Sequence, residues 1–135
     1  MRTTTLIILL CLILSSLSCK KNISNSSKVQ LITAKEMRDI LELEDAQIID
    51  VRTQKEYSQI YIENAQNIDY SSPTFDKDIS KLDKKKSVIL YCKGGTRSAR
   101  CAEKLQEAGF EKIYDLEGGI SKWKHSNHLK FKKKS

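Results

Sequence analysis

An open α/β sheet, mostly parallel and flanked by helices on both faces, is the fold this sequence predicts, and three observations predict it. Short apolar runs, "AQIIDV", "SVILYC" and "KIYDL", have the composition of buried strands. Between them lie segments with apolar residues at helical spacing, of which "TRSARCAEKLQEA" is the clearest. Capping and stop residues fall at the joints, Thr33 before one helix and Gly109 after another. At 135 residues the chain holds one such domain with short extensions.

In order, Thr33 and Glu36 form a capping-box pattern, and Met37, Ile40 and Leu41 follow at helical spacing, so a first helix is expected over Thr33 to Leu43. "AQIIDV", Ala46 to Val51, is expected as a strand, "QKEYSQI" as a short helix and "AQNIDY", Ala65 to Tyr70, as a second strand. Ser72 is expected to cap a helix whose first position is Pro73, where a missing N–H costs nothing. "SVILYC", Ser87 to Cys92, fits a central parallel strand, and Thr96 to Ala108 a helix stopped by Gly109. "KIYDL" is a further strand and "GGISKWK" a closing helical turn.

The net charge of +7 is gathered at the ends, in Lys20, Lys21 and Lys28 and then from Lys122 to Lys134. Without aromatic residues interleaved on a basic face, nucleic acid is not the expected partner. An anionic membrane surface suits such charge better. The N-terminus agrees: Arg2, an apolar stretch from Leu6 to Leu14 and small residues up to Cys19 have the anatomy of a signal peptide, too short to span a bilayer. A cysteine directly after "SSLS" resembles the lipobox of bacterial lipoproteins, with Ser16 where Leu is usual and Leu17 one place nearer. That resemblance implies an exported protein of the cell envelope, with residues 1–18 as signal, Cys19 lipidated and 19–28 as a polar tether. Cys11 then leaves with the signal, so Cys92 and Cys101 remain as thiols and no disulfide framework is expected. Residues 127–135 are expected as a basic tail, with His125 and His128 solvated.

The chemistry is expected at "YCKGGTRSAR". In an open α/β sheet ligands bind where strand C-termini meet helix N-termini, and Cys92 falls at that junction. Backbone N–H groups of a tight glycine-containing loop converge on an anion, the following helix dipole adds to the effect, and both pull a thiol toward thiolate. Lys93 and Arg97 act in the same direction, and Gly94 and Gly95 permit backbone angles closed to other residues. A strand-end cysteine is also a common packing residue; the whole set "CKGGTRS" in one place argues for more.

Here the chain resembles the single-domain rhodaneses. Cys92, four residues, Arg97 and Ser98 match the family's loop; "IIDVRTQKEYSQIYIENAQNIDY" matches its "DVR … E-[FY] … A-x-N-I" signature; "LEGGISKW" matches its "L-x-G-G-x-x-x-W" pattern. The likeness covers about Ile32 to Trp123, within a domain expected over 29–126. Two positions depart: the usual Gly-His pair is Ile60-Tyr61, and the usual Gly before Ala65 is Asn64, a residue able to enter the left-handed region.

The resemblance implies sulfur transfer without metal or organic cofactor. Cys92 attacks the outer sulfur of a small anionic donor such as thiosulfate, holds a persulfide cradled by Lys93, Gly94, Gly95, Thr96, Arg97 and Ser98, and passes the sulfur to a thiol or to cyanide. The related phosphatases carry five residues between cysteine and arginine, and four favour sulfur over phosphate. Asp50 and Arg52 are expected as a buried structural pair, Trp123 as a core plug and Cys101 as a small core residue. Two other readings stay open: a non-catalytic module that binds a partner, and a thiol-redox protein using Cys101.

Overall fold

The computed structural model describes residues 29–134. The expected signal, the tether with Cys19, and Ser135 lie outside the described residues. Five strands form one parallel sheet in the order β1-β6-β5-β2-β4: β1 (Val29–Ile32), β2 (Gln47–Asp50), β4 (Gln66–Asn67), β5 (Val88–Tyr91) and β6 (Ile113–Leu116). A second, antiparallel pair joins β3 (Tyr61–Ile62) to β7 (Phe131–Lys132). The helices are α1 (Ala34–Leu43), α2 (Gln54–Gln59), α3 (Phe75–Ile79), α4 (Thr96–Glu107) and α5 (Gly119–Trp123).

Because side chains alternate along a strand, the sheet builds two cores. Ile49, Val88, Leu90 and Ile113 meet Phe75 and Ile79 of α3 and Cys101, Ala102 and Leu105 of α4. Ile48, Ile89, Tyr91, Tyr114 and Leu116 meet Ala34 and Met37 of α1 and Ile120 of α5. β5, covered on both faces and flanked by β2 and β6, is wholly buried, and so it carries an unbroken apolar run. This is the flanked parallel sheet expected from the sequence.

The cap of α1 acts as the sequence implies, whereas Ser72 caps no helix, since α3 has Thr74 at its N-cap and no side-chain cap bond. Thr33 and Glu36 close a reciprocal capping box on α1, with Thr33 N–H donating to Glu36 Oε2 at 2.7 Å. Asn64 sits at φ 67, in the left-handed region.

Several expectations need correction. Pro73 is not the first residue of a helix: Ser72 to Thr74 form a turn, Phe75 N–H donating to Ser72 O at 3.1 Å, and α3 begins after it. The strand expected over Ala65 to Tyr70 pairs as a ladder only at Gln66 and Asn67. Strand β1 was not anticipated.

The 127–135 segment is no solvated tail over its described part. β7 pairs with β3, Leu129 is buried in the second core, and Lys134 N–H donates to Ser58 O at 3.2 Å. Leu129 and Phe131 alternate with lysines, so the chain covers apolar surface with one side and keeps charge in water with the other. His128, expected in solvent, is half-buried with Nδ1 3.0 Å from Arg38 Nη1, whereas His125 is exposed.

Candidate active site

The loop from Cys92 to Gly95 joins the C-terminal end of β5 to the N-terminus of α4. Cys92 is 1% exposed. Its Sγ accepts the Gly95 N–H at 3.0 Å and faces the Ser98 hydroxyl at 3.5 Å. Gly95 holds φ 105, a conformation closed to most side chains, and this is what turns its N–H back onto the sulfur as α4 starts.

Burial pushes the Cys92 thiol up, but the Ser98 hydroxyl and the N–H groups of Ser98, Gly95 and Gly94 outweigh it, so the thiol lies below its ordinary value. Cys101 is the reverse case: burial, with Asp115 nearby, pushes it up to about 12. The two thiols of one fold thus differ by environment, and Cys101 is the small core residue expected of it.

α5 fixes the base of the loop. Ile120 N–H donates to Cys92 O at 2.9 Å and Ser121 N–H to Lys93 O at 3.1 Å. A side chain at Gly119 would have its Cβ 2.4 Å from Cys92 O and 2.5 Å from Lys93 O, so only glycine lets α5 approach this closely.

The expected loop residues divide. Gly94, Gly95 and Ser98 present N–H or hydroxyl groups to the sulfur, while Lys93 and Thr96 are exposed at the rim. Arg97 turns to Glu56, its Nη1 and Nη2 donating to Oε2 and Oε1 at 2.8 and 2.9 Å, rather than standing free beside the sulfur. These bonds are the chief reason Glu56 falls to about 2; burial opposes them and the Thr53 cap assists. Glu56 was not singled out by sequence reasoning; it is the glutamate of "KEY", and its place three residues after Thr53, the spacing of a capping box, is the signal that could have found it. Through it α2 is locked to the loop.

Asp50 and Arg52 form the buried pair expected. Arg52 Nε and Nη2 donate to Oδ1 and Oδ2 at 3.0 and 2.7 Å, and Nη2 also reaches Ile60 O at 2.6 Å. Trp123 packs on the second core and donates to Glu117 O at 2.7 Å. The clefts of 380 and 620 Å³ lie elsewhere, one between α3 and α4, the other beside α1 and the C-terminal segment, and neither is lined by a loop residue.

The family model described as "Rhodanese-like domain" matches residues 33–126. The chain belongs to the rhodanese-like domain family. Its relatives include the protein named thiosulfate sulfurtransferase GlpE of Coxiella burnetii, 36% identical over 86 residues, covering 64% of this chain and 78% of that protein. The probable adenylyltransferase/sulfurtransferase MoeZ of Mycobacterium tuberculosis is 35% identical over 101 residues, 74% of this chain. This rhodanese-like domain spans only 26% of MoeZ. Among solved structures, a rhodanese-like domain protein from Staphylococcus aureus superposes with TM-score 0.67 at 33% identity, over 78% of this chain and 99% of that one. A rhodanese-related protein from Thermoplasma volcanium gives 0.64 at 28% identity, over 73% and 93%.

Proposed function

We propose that the chain is a sulfurtransferase that carries sulfane sulfur on Cys92. The observation that carries this reading is the Gly95 N–H aimed at Sγ from 3.0 Å, with the Ser98 hydroxyl on the same atom. Groups that hold a thiolate also suit the terminal sulfur of a persulfide, which is anionic in its turn.

In the first step the Cys92 thiolate attacks the outer sulfur of thiosulfate. The new S–S bond forms as the bond to the sulfonate sulfur breaks, and sulfite leaves with that electron pair. The negative charge stays balanced, a thiolate and a dianion giving a persulfide anion and a dianion. A thiol or cyanide acceptor then attacks the terminal sulfur and frees the Cys92 thiolate. Lys93, exposed at the rim, attracts the donor anion. Arg97, tied to Glu56, keeps the loop in shape and adds its field from there.

The burial of Cys101 and its raised thiol favour this one-cysteine route over a redox pair. Cys92→Ser is expected to abolish thiosulfate:cyanide sulfur transfer and the gain of one sulfur atom seen by mass spectrometry after incubation with thiosulfate, with the circular dichroism spectrum kept. Uptake of sulfur by the serine variant would overturn the reading. We further propose that the chain is exported and held at an envelope membrane through lipid on Cys19, the residue that follows "SSLS".

A further inference from the structure

Behind the Cys92 loop lies a carboxyl group that the proposed reaction does not use. Asp115, third residue of β6, is 4% exposed, and its Oδ1 has no hydrogen-bond partner among the described residues. A buried polar atom left unpaired is uncommon and needs a reason. The strand on one side brings Leu31 in register, which cannot titrate, and β5 on the other brings Leu90. Cys101 on α4 is an ionisable group that feels the Asp115 charge, and Ser98, which acts on the carboxyl, reaches Cys92 at the end of β5. Burial raises Asp115 to about 6, opposed by the Ser98 hydroxyl beside it.

Ser98 is wholly buried between these groups. Its Oγ lies 3.2 Å from Gly95 O and 3.5 Å from Cys92 Sγ, and it also influences the Asp115 carboxyl. A hydroxyl owns one proton, so Gly95 O and Cys92 Sγ already compete for it, and a carboxylate that draws on it takes it from both.

We propose that Asp115 is a positioning residue that sets the ionisation of Cys92 through the Ser98 hydroxyl. Protonated, the carboxyl donates to Ser98 Oγ and leaves the serine proton free to turn to the sulfur. Ionised, it draws that proton to itself, so the sulfur keeps the Gly95 N–H but loses a donor and gains a negative neighbour. The two ionisations therefore oppose each other, and each site's titration depends on the other's state. This inference rests on Cys92 being the nucleophile of the proposed sulfur transfer, but its test requires no sulfur donor.

The experiment is the rate of Cys92 alkylation by iodoacetamide as a function of pH, followed by mass spectrometry on the full chain. Asp115→Asn keeps the shape and gives Ser98 a donor at every pH. It is expected to increase the Cys92 acid ionisation constant about three- to tenfold, moving the alkylation curve to lower pH by about half a unit to one unit. Ser98→Ala, which removes a donor from the sulfur, is expected to move the curve the other way. In the Ser98→Ala background Asp115→Asn is expected to have little further effect. A curve unmoved by Asp115→Asn, a curve unmoved by Ser98→Ala, or an Asp115→Asn shift undiminished without the hydroxyl would each overturn the proposal. A domain that alkylates as expected but takes up no sulfur from thiosulfate would instead count against the proposed sulfur transfer alone.

Discussion

Glu56 performs two tasks with one carboxylate. It accepts the Thr53 N–H at 3.0 Å to cap α2 and holds both ends of the Arg97 guanidinium. Its value falls from 4.5 to about 2, so the stabilisation it supplies is fully present above pH 4.5 and is lost as pH falls toward 2. Because the pair is partly open to solvent, with side chains 33% and 29% exposed, we expect about 1–2 kcal/mol rather than the full value of the shift. Glu56→Gln retains the cap, since glutamine closes the same box, and removes the charge. Thermal unfolding at pH 7 should show the variant less stable by that amount, with the gap closing near pH 2. A gap constant with pH would assign the effect to the helix cap. Cys92 and its loop were legible in the sequence because "CKGGTRS" puts thiol, glycines and cations in one short stretch. The Glu56–Arg97 contact was not, since it joins groups far apart in the chain whose meeting only the sheet order determines, and neither was the burial of Asp115.

At the scale of elements, β2, β5 and β6 and helices α1 and α4 were readable because each shows a helical period or a cluster of buried apolar residues. β1 follows directly on a polar segment and holds only "VQLI", with Leu31 61% exposed. The β3-β7 pair has two residues on each strand, separated by about half of the chain, and its apolar signal is diluted by the lysines around it. Leu129 and Phe131 nonetheless close one face of the second core, and Lys132 reaches Glu63 at 3.0 Å. Ending the chain after Asn127 should therefore cost about 2–4 kcal/mol, from one buried leucine and part of an aromatic ring. The corresponding fall in Tm, roughly 10–20 °C for a domain of this size, is measurable by calorimetry. An unchanged Tm would return these residues to the role of a solvated tail.

For the whole molecule, the proposed anchor makes a prediction of its own. Cys19→Ser is expected to move the protein from the membrane fraction to the soluble one and to remove a lipid-sized mass from its N-terminus. Membrane association that persists with no change in mass would point to a plain signal or an uncleaved segment. The polar stretch before Val29 is where such an anchor would hand over to the folded body.

The direction of the strands then acquires a meaning. β1, β6 and β5 run parallel, with Val29 and Val88 both level with Ile113. The described chain thus enters at the end of the sheet where β5 begins, while Cys92 stands where β5 finishes, roughly 13 Å further along at about 3.3 Å per residue. A body leashed to a bilayer at its point of entry would turn its sulfur outward, toward the aqueous side. Traffic in sulfur would then run between diffusing molecules and the far pole of the domain, and the lipid would set the address of the reaction without taking part in it.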